Sequence, residues 1–261
     1  MSVAPSDPVE GAQSIRRVVS ILRILASGQE SGVRVADIVL QTQLKRSTIH
    51  RMLRVLVDEG LAEQDADTRR YGLGREATLL GLARRGMFPI RGIADPFLRA
   101  LAKDLGDSVF LTVRSGADSI CVDRKTGTYP IQVLSVEIGA RRPLGVGVGG
   151  VVLLGCLPSD ETAAIVAQNA RRLEAYGLTA ARVTERVERM RERGYAYTEA
   201  GVVPGTRAVS VPVRGPNGAA LAAISVSTVT ARLPLARARL IVGRMREQAG
   251  LMSRAAGKAR R

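Results

Sequence analysis

Little in this chain can do covalent chemistry. It has no tryptophan, one histidine (His50) and two cysteines (Cys121 and Cys156) among 261 residues. Two cysteines build neither a disulfide framework nor a cysteine-rich metal centre, and no residues stand at metal-ligand spacing. His50 falls on a basic N-terminal helix away from both thiols, which excludes a Cys–His nucleophilic pair in the second domain. Cys121 in a strand and Cys156 at the end of an apolar helix read as buried structural thiols. The glycine-rich "GVGVGG" (Gly145–Gly150) lacks the lysine and serine that end a phosphate-binding loop. No apolar run approaches the 18 residues of a membrane span, and the opening "MSVAPSDPVEGAQ" lacks the basic start and apolar centre of a signal peptide. The expectation is a cytoplasmic, cofactor-free chain that is not an enzyme and keeps clear of membranes.

What the chain has is positive charge. Hydrophobic residues at 46% and charged residues at 24% are ordinary globular values, but the formal charge is +15 and arginine dominates the basic residues. Such a balance favours polyanions, because neutralised phosphates release condensed counterions. A GC-rich genome's codon usage is the bland alternative cause, so distribution matters. Residues 14–54 carry a net +6 around one shaped helix, while residues 235–261 carry +7 on a closing helix and an "AAGKARR" tail. The second cluster reads as a solvated face, with auxiliary DNA contact as the sharper alternative.

The shaped helix is "LKRSTIHRMLRVLVDEG" (Leu44–Gly60). At 100° per residue, Ile49, Met52, Leu53 and Leu56 form one face, and Ser47, Arg51, Arg54 and Asp58 the opposite one, flanked by Thr48 and His50. Gly60 suits the left-handed stop. Ahead of it, Ser14–Ser27 carries a helical stripe with Ser14 as N-cap, and a short helix starts near Val35. Behind it, "LAEQDADTRRYGLG" reads as a hairpin with a basic tip. Three helices and a hairpin in about 60 residues make a winged helix-turn-helix, whose third helix enters the DNA major groove. Its exposed stripe lacks acids near the N-terminus, unlike a generic solvated helix. The candidate DNA contacts are Arg34, Lys45, Arg46, Ser47, Thr48, His50, Arg51 and Arg54, with Arg69, Arg70 and Tyr71 at the wing.

"REATLLGLARRGMF" reads as a linker helix that Pro89 ends or redirects. Beyond it come a helix with Pro96 near its first turn, a hairpin across "SGAD", a strand "IQVLSVEIG" and a glycine-rich entry to an apolar helix ended by Pro158. Two more helices, three strands and a long helix Leu235–Ala256 complete the chain. The fold class is α+β on a mainly antiparallel sheet. Boundaries are expected at 1–13 (flexible leader), 14–74 (winged helix-turn-helix), 75–92 (linker helix), 93–256 (the α+β domain, to which the resemblance given next assigns effector binding and oligomerisation) and 257–261 (basic tail).

In order and spacing, "KRSTIHRMLRVLVDEGL", "RRYGLG", "CVDR", "PLGVGVGGVVLLGCLP", "RERGYAY", "VPGTRAVSVPV" and "AISVS" resemble the IclR (isocitrate lyase regulator) family of bacterial transcription factors from about Ser14 to Ser253. The resemblance implies a DNA reader joined to a GAF-like effector domain. It also implies self-association as dimers or dimers of dimers on operator double-stranded DNA, control by a small-molecule effector that is often an organic acid, and either repression or activation. Mapped by motif, the effector site comprises Gly147, Val148 and Gly149 of the loop before the apolar helix, Ala208, Ser225 and Ser227 of the sheet, Ile131 in a lining strand, and Thr198 or Glu199 after "GYAY". The residues agree in part: Ser225 and Ser227 share one strand face, and amides of a glycine-rich turn suit a carboxylate. Serines bonded to neighbouring carbonyls and glycines serving only close packing remain the alternative. Where many relatives carry cysteine, histidine and lysine, this chain has Ala208, Gly145 and Val151, which predicts a less polar and roomier pocket. A non-specific architectural DNA protein without effector control is the competing function.

Overall fold

The computed structural model describes residues 12–28, 31–83, 89–134, 136–198 and 201–258. Residues 1–11 of the expected leader and 259–261 of the tail lie outside them. The chain divides into two compact units, Met1–Met87 and Phe88–Arg261, each with its own core.

Unit 1 runs α1 (Gln13–Gly28), α2 (Val35–Thr42), α3 (Arg46–Asp58), β1 (Ala62–Gln64), β2 (Tyr71–Leu73) and α4 (Arg75–Leu82). The helical stripe of α1 starts one residue before the expected cap, so Ser14 lies inside the helix. Its C-terminal half, Ile21, Ile24 and Leu25, is buried, whereas Ile15 is 65% exposed. The predicted face of α3 closes the core: Ile49, Leu53 and Leu56 are buried against α1, α2, Val33 and Tyr71. Two main-chain bonds between Val33 and Tyr71 tie the segment before α2 to β2, so the hairpin is anchored at its base. Gly60 holds φ +67°, and a Cβ on Gly74 would sit 2.2 Å from the Gly60 carbonyl oxygen. The chain can therefore leave α3 and re-cross it only with glycine at both positions.

Unit 2 runs α5 (Pro89–Leu105), β3 (Ser108–Ser115), β4 (Asp118–Lys125), β5 (Arg141–Pro143), α6 (Gly147–Gly155), α7 (Ser159–Glu174), α8 (Ala180–Arg193), β6 (Ala196–Thr198), β7 (Thr206–Arg214), β8 (Ala220–Val229) and α9 (Leu235–Lys258). The six strands pair antiparallel in the order β5-β4-β3-β8-β7-β6. Strand alternation sends Val109, Leu111, Val209, Val211, Ile224 and Val226 to a core under α5 and α9. The opposite face meets α6, α7 and α8 around Leu144, Val152, Leu154, Val183 and Ala223.

Two expectations fail here. Pro89 opens a helix rather than ending one, since a first-turn residue needs no N–H donor. Pro96 then lies inside α5. There the buried stripe Ala94, Leu98, Leu101 and Ala102 holds the helix together across the missing bond. Among the described residues of "IQVLSVEIG" the expected strand does not form. Gln132 turns inward instead: its oxygen accepts from Ser108 Oγ at 2.8 Å and Gly127 N at 3.2 Å, and its amide donates to the Gly106 oxygen at 3.0 Å. The place beside β4 goes to β5, paired with Asp118–Ile120.

Candidate functional site

In unit 1, α2, α3 and the hairpin enclose an open groove of about 750 Å³ lined by Arg34, Arg46, His50, Arg54 and Arg69, and also by Asp58. α3 begins without a side-chain cap and without an acid in its first turn. Its first N–H groups therefore lack intrahelical acceptors and stand beside Lys45, Arg46, Ser47 and Thr48, an arrangement that favours an anion. Lys45, Ser47 and Arg51 are exposed on the outer side of the helix, and Thr48 is half-buried. Arg46 Nε donates to His50 Nε2 at 3.4 Å, which orients both side chains along the groove.

The hairpin tip is held by local bonds. Asp65 Oδ1 accepts from Thr68 N at 2.7 Å and Thr68 Oγ1 at 2.6 Å, and these bonds draw the Asp65 carboxyl below its ordinary pKa. Gln64 Nε2 donates to the Arg69 oxygen at 3.1 Å, and Arg69 adopts φ +55°, unusual for a non-glycine residue. Arg69 thereby faces the groove. Arg70 does not share its role: its Nη1 donates to the Ser31 and Gly32 carbonyl oxygens at 3.3 and 3.2 Å. Tyr71 is buried in the core, so its ring supports the hairpin while bordering the groove.

In unit 2, the start of α6 and the sheet face beneath it enclose a cavity of about 80 Å³. It gathers Gly147, Val148, Gly149, Thr198, Ala208, Ser225 and Ser227 from four separate stretches of sequence. A Cβ on Gly149 would lie 3.1 Å from Ser225 Oγ and 3.2 Å from Thr112 Oγ1, so glycine keeps the helix start close to the hydroxyls. Ile131 is not among the lining residues and is 56% exposed, a consequence of the missing strand. Glu199 lies outside the described residues. Sequence reasoning missed Thr112, Ser119, Cys121, Arg142 and Thr206 in the wall. Period-2 alternation in "SICVD" already puts Ser119 and Cys121 on one face. Arg142 gave no such sign, because it enters through a three-residue strand. Burial draws its guanidinium below the ordinary pKa, although it stays charged. Burial also pushes the Cys121 thiol up to about 11 and raises that of Cys156, so neither is an activated nucleophile. The hydroxyl-bearing residues Thr112, Ser119, Thr198, Thr206, Ser225 and Ser227 stand in a lining otherwise made mostly of apolar residues and glycines.

Among the described residues no helix is long and apolar enough to cross a membrane, and no group of three acidic, cysteine or histidine side chains is placed to hold a metal ion.

Comparison with known proteins fits both units. Residues 14–66 match the IclR helix-turn-helix domain, and residues 86–254 match the bacterial transcriptional regulator IclR C-terminal domain. The chain belongs to the IclR family. The HTH-type transcriptional regulator XynR of Escherichia coli (strain K12) is 29% identical over 255 residues, 94% of this chain and 97% of that protein. The HTH-type transcriptional repressor AllR of Klebsiella pneumoniae is 28% identical over 227 residues, 86% of this chain and 82% of its own length. The crystal structure of an IclR family regulator from Brucella abortus shares the fold at a TM-score of 0.76 and 21% identity, covering 98% of this chain and 96% of that one. As an IclR-family regulator the chain binds DNA through its helix-turn-helix, and its C-terminal domain is the effector-binding domain through which a metabolite modulates that binding. Its curated relatives are transcriptional regulators.

Proposed function

We propose that the groove of unit 1 reads operator DNA with α3 in the major groove, and that the cavity of unit 2 takes a small organic acid that shifts operator affinity. The observation that carries the first half is the joining of Arg34, Arg46, His50, Arg54 and Arg69 along one groove beside an uncapped helix start. Arg46, Arg54 and Arg69 are assigned to phosphates, and the outward Arg51 to a base edge. Arg70 and Tyr71 act through the fold of the wing. Residues 75–92 are assigned to the connection between DNA reader and effector domain. The assembly is a dimer or dimer of dimers, since half-site reading needs paired recognition helices. Ile15 and Val19 on α1 and Leu79 and Leu80 on α4, all well exposed, supply apolar surface for it. The protein works in the cytoplasm and is not an enzyme. The raised thiol pKa values support the second point.

The test is binding to the protein's own upstream DNA against a shuffled sequence at two salt concentrations. A preference of about 10³-fold or more marks a specific regulator. Equal, steeply salt-dependent binding to both would favour an architectural protein. Arg51→Ala is expected to relax one operator position by about 1–3 kcal/mol; an unchanged base preference would remove Arg51 from the readout.

The wing gives a prediction whose sign opposes simple electrostatics. Deleting a carboxylate near DNA should tighten binding, but Asp65→Ala also frees the turn that sets Arg69. Its expected result is operator binding weaker by about fivefold, because ordering the loop is then charged against binding. Asp65→Asn keeps an Oδ1 acceptor and is expected to bind at least as tightly as the parent. Tighter binding by Asp65→Ala would show that charge outweighs positioning.

A further inference from the structure

We propose that the effector is a short hydroxylated carboxylate, selected because four of the cavity's hydroxyl groups face it with lone pairs only. This rests on the reading of the unit 2 cavity as the effector site.

The proton of each of four lining hydroxyls is committed to the protein. Ser119 Oγ donates to the Arg142 carbonyl oxygen at 3.3 Å, Thr206 Oγ1 to that of Val203 at 2.6 Å, and Ser227 Oγ to that of Arg207 at 3.3 Å. Ser225 Oγ donates to Ser210 Oγ at 3.0 Å, and Ser210 Oγ in turn donates to the Ile224 carbonyl oxygen at 2.8 Å. The directions are forced by chemistry. A carbonyl oxygen only accepts, and Ser210, its single proton spent on Ile224, only accepts from Ser225. Ser119, Ser225 and Ser227 are more than nine-tenths buried, so water does not freely make up the difference. The wall they form offers acceptors and asks its ligand for donors.

The start of α6, which adjoins these same hydroxyls, has the reverse character. Gly147–Gly150 at the start of α6 line the cavity, and Val146 before them provides no side-chain cap for the first N–H groups of the helix. Arg142, half-buried in the same lining, adds positive charge. A carboxylate fits this end, and hydroxyl groups on the carbons next to it reach the adjoining serines within a cavity of about 80 Å³. That volume favours a chain of few carbons. A keto acid of the same length would bring a carbonyl oxygen against hydroxyl lone pairs, and a plain fatty acid would leave those lone pairs without a donor.

The test is calorimetric titration of the full-length protein with glycerate, pyruvate and propanoate, which share chain length and carboxylate and differ in donors. Glycerate is expected to bind at least about tenfold tighter than either of the others, the discrimination of one or two matched hydrogen bonds. In the Ser225→Ala, Ser227→Ala double variant that advantage is expected to shrink to about threefold or less, with operator binding kept as the check on folding. Pyruvate or propanoate binding as tightly as glycerate would overturn the donor requirement while leaving the cavity as an acid site. A glycerate preference that survives in the double variant would overturn the role of these serines. No heat from any of the three acids at millimolar concentration, with specific operator binding intact, would overturn the reading of the cavity and this inference with it.

Discussion

Replacing Arg46, Arg54 and Arg69 together by alanine is expected to lower the slope of log affinity against log salt by about 2.7, at about 0.9 per phosphate on duplex DNA. At fixed salt the loss is on the order of 10³-fold, taking about 1.5 kcal/mol for each charge-assisted contact. Because all three line one groove, the loss should fall on operator and shuffled DNA alike, leaving the ratio between them nearly unchanged. Arg51→Ala should do the reverse, changing the ratio more than the slope. Fluorescence anisotropy across a salt series separates the two effects. A slope that the triple variant leaves untouched would mean that the groove does not take the phosphate backbone.

The second large effect is on folding. Leu53 is fully buried where α3 meets α1 and α2, and Leu53→Ala is expected to cost about 2–5 kcal/mol. Val55, two residues along on the same helix, is 55% exposed, and Val55→Ala should fall within about 0.5 kcal/mol of the parent. Since the two units have separate cores, Leu53→Ala should remove DNA binding while ligand titration of the cavity is preserved. Denaturation followed by circular dichroism, with calorimetry on the same sample, reads both. Simultaneous loss of ligand binding would show that the units do not fold independently.

How far the sequence could be read depended on the range of the interaction. The two faces of α3 were legible because a helix turns 100° per residue regardless of its surroundings, and Ile49, Leu53 and Leu56 need only the nearest helices to be buried. The hairpin was legible from its turn residues. Arg70 was not: its sequence place beside Arg69 suggested a shared role, yet its guanidinium is taken by carbonyls of Ser31 and Gly32, far away in the chain. The strand expected through Ile131 followed from local β-propensity and lost to Gln132, whose side chain is satisfied by residues of other elements. Local propensity is a weak prior once buried polar groups compete for partners.

The sequence by itself determined the class of molecule. Its charge distribution, its helical and strand periods and its scarcity of nucleophiles and metal ligands set a basic DNA-reading module ahead of a separate α+β domain. It also placed Ser225 and Ser227 on one strand face, a consequence of the two-residue period alone. Only the tertiary structure decided what that face meets. Thr112, Ser119, Arg142 and the start of α6 converge on the two serines through antiparallel pairing of β3, β4, β5, β7 and β8. The direction of each hydroxyl is likewise a tertiary fact, because a serine carries one proton and which oxygen receives it depends on the strand that lies alongside.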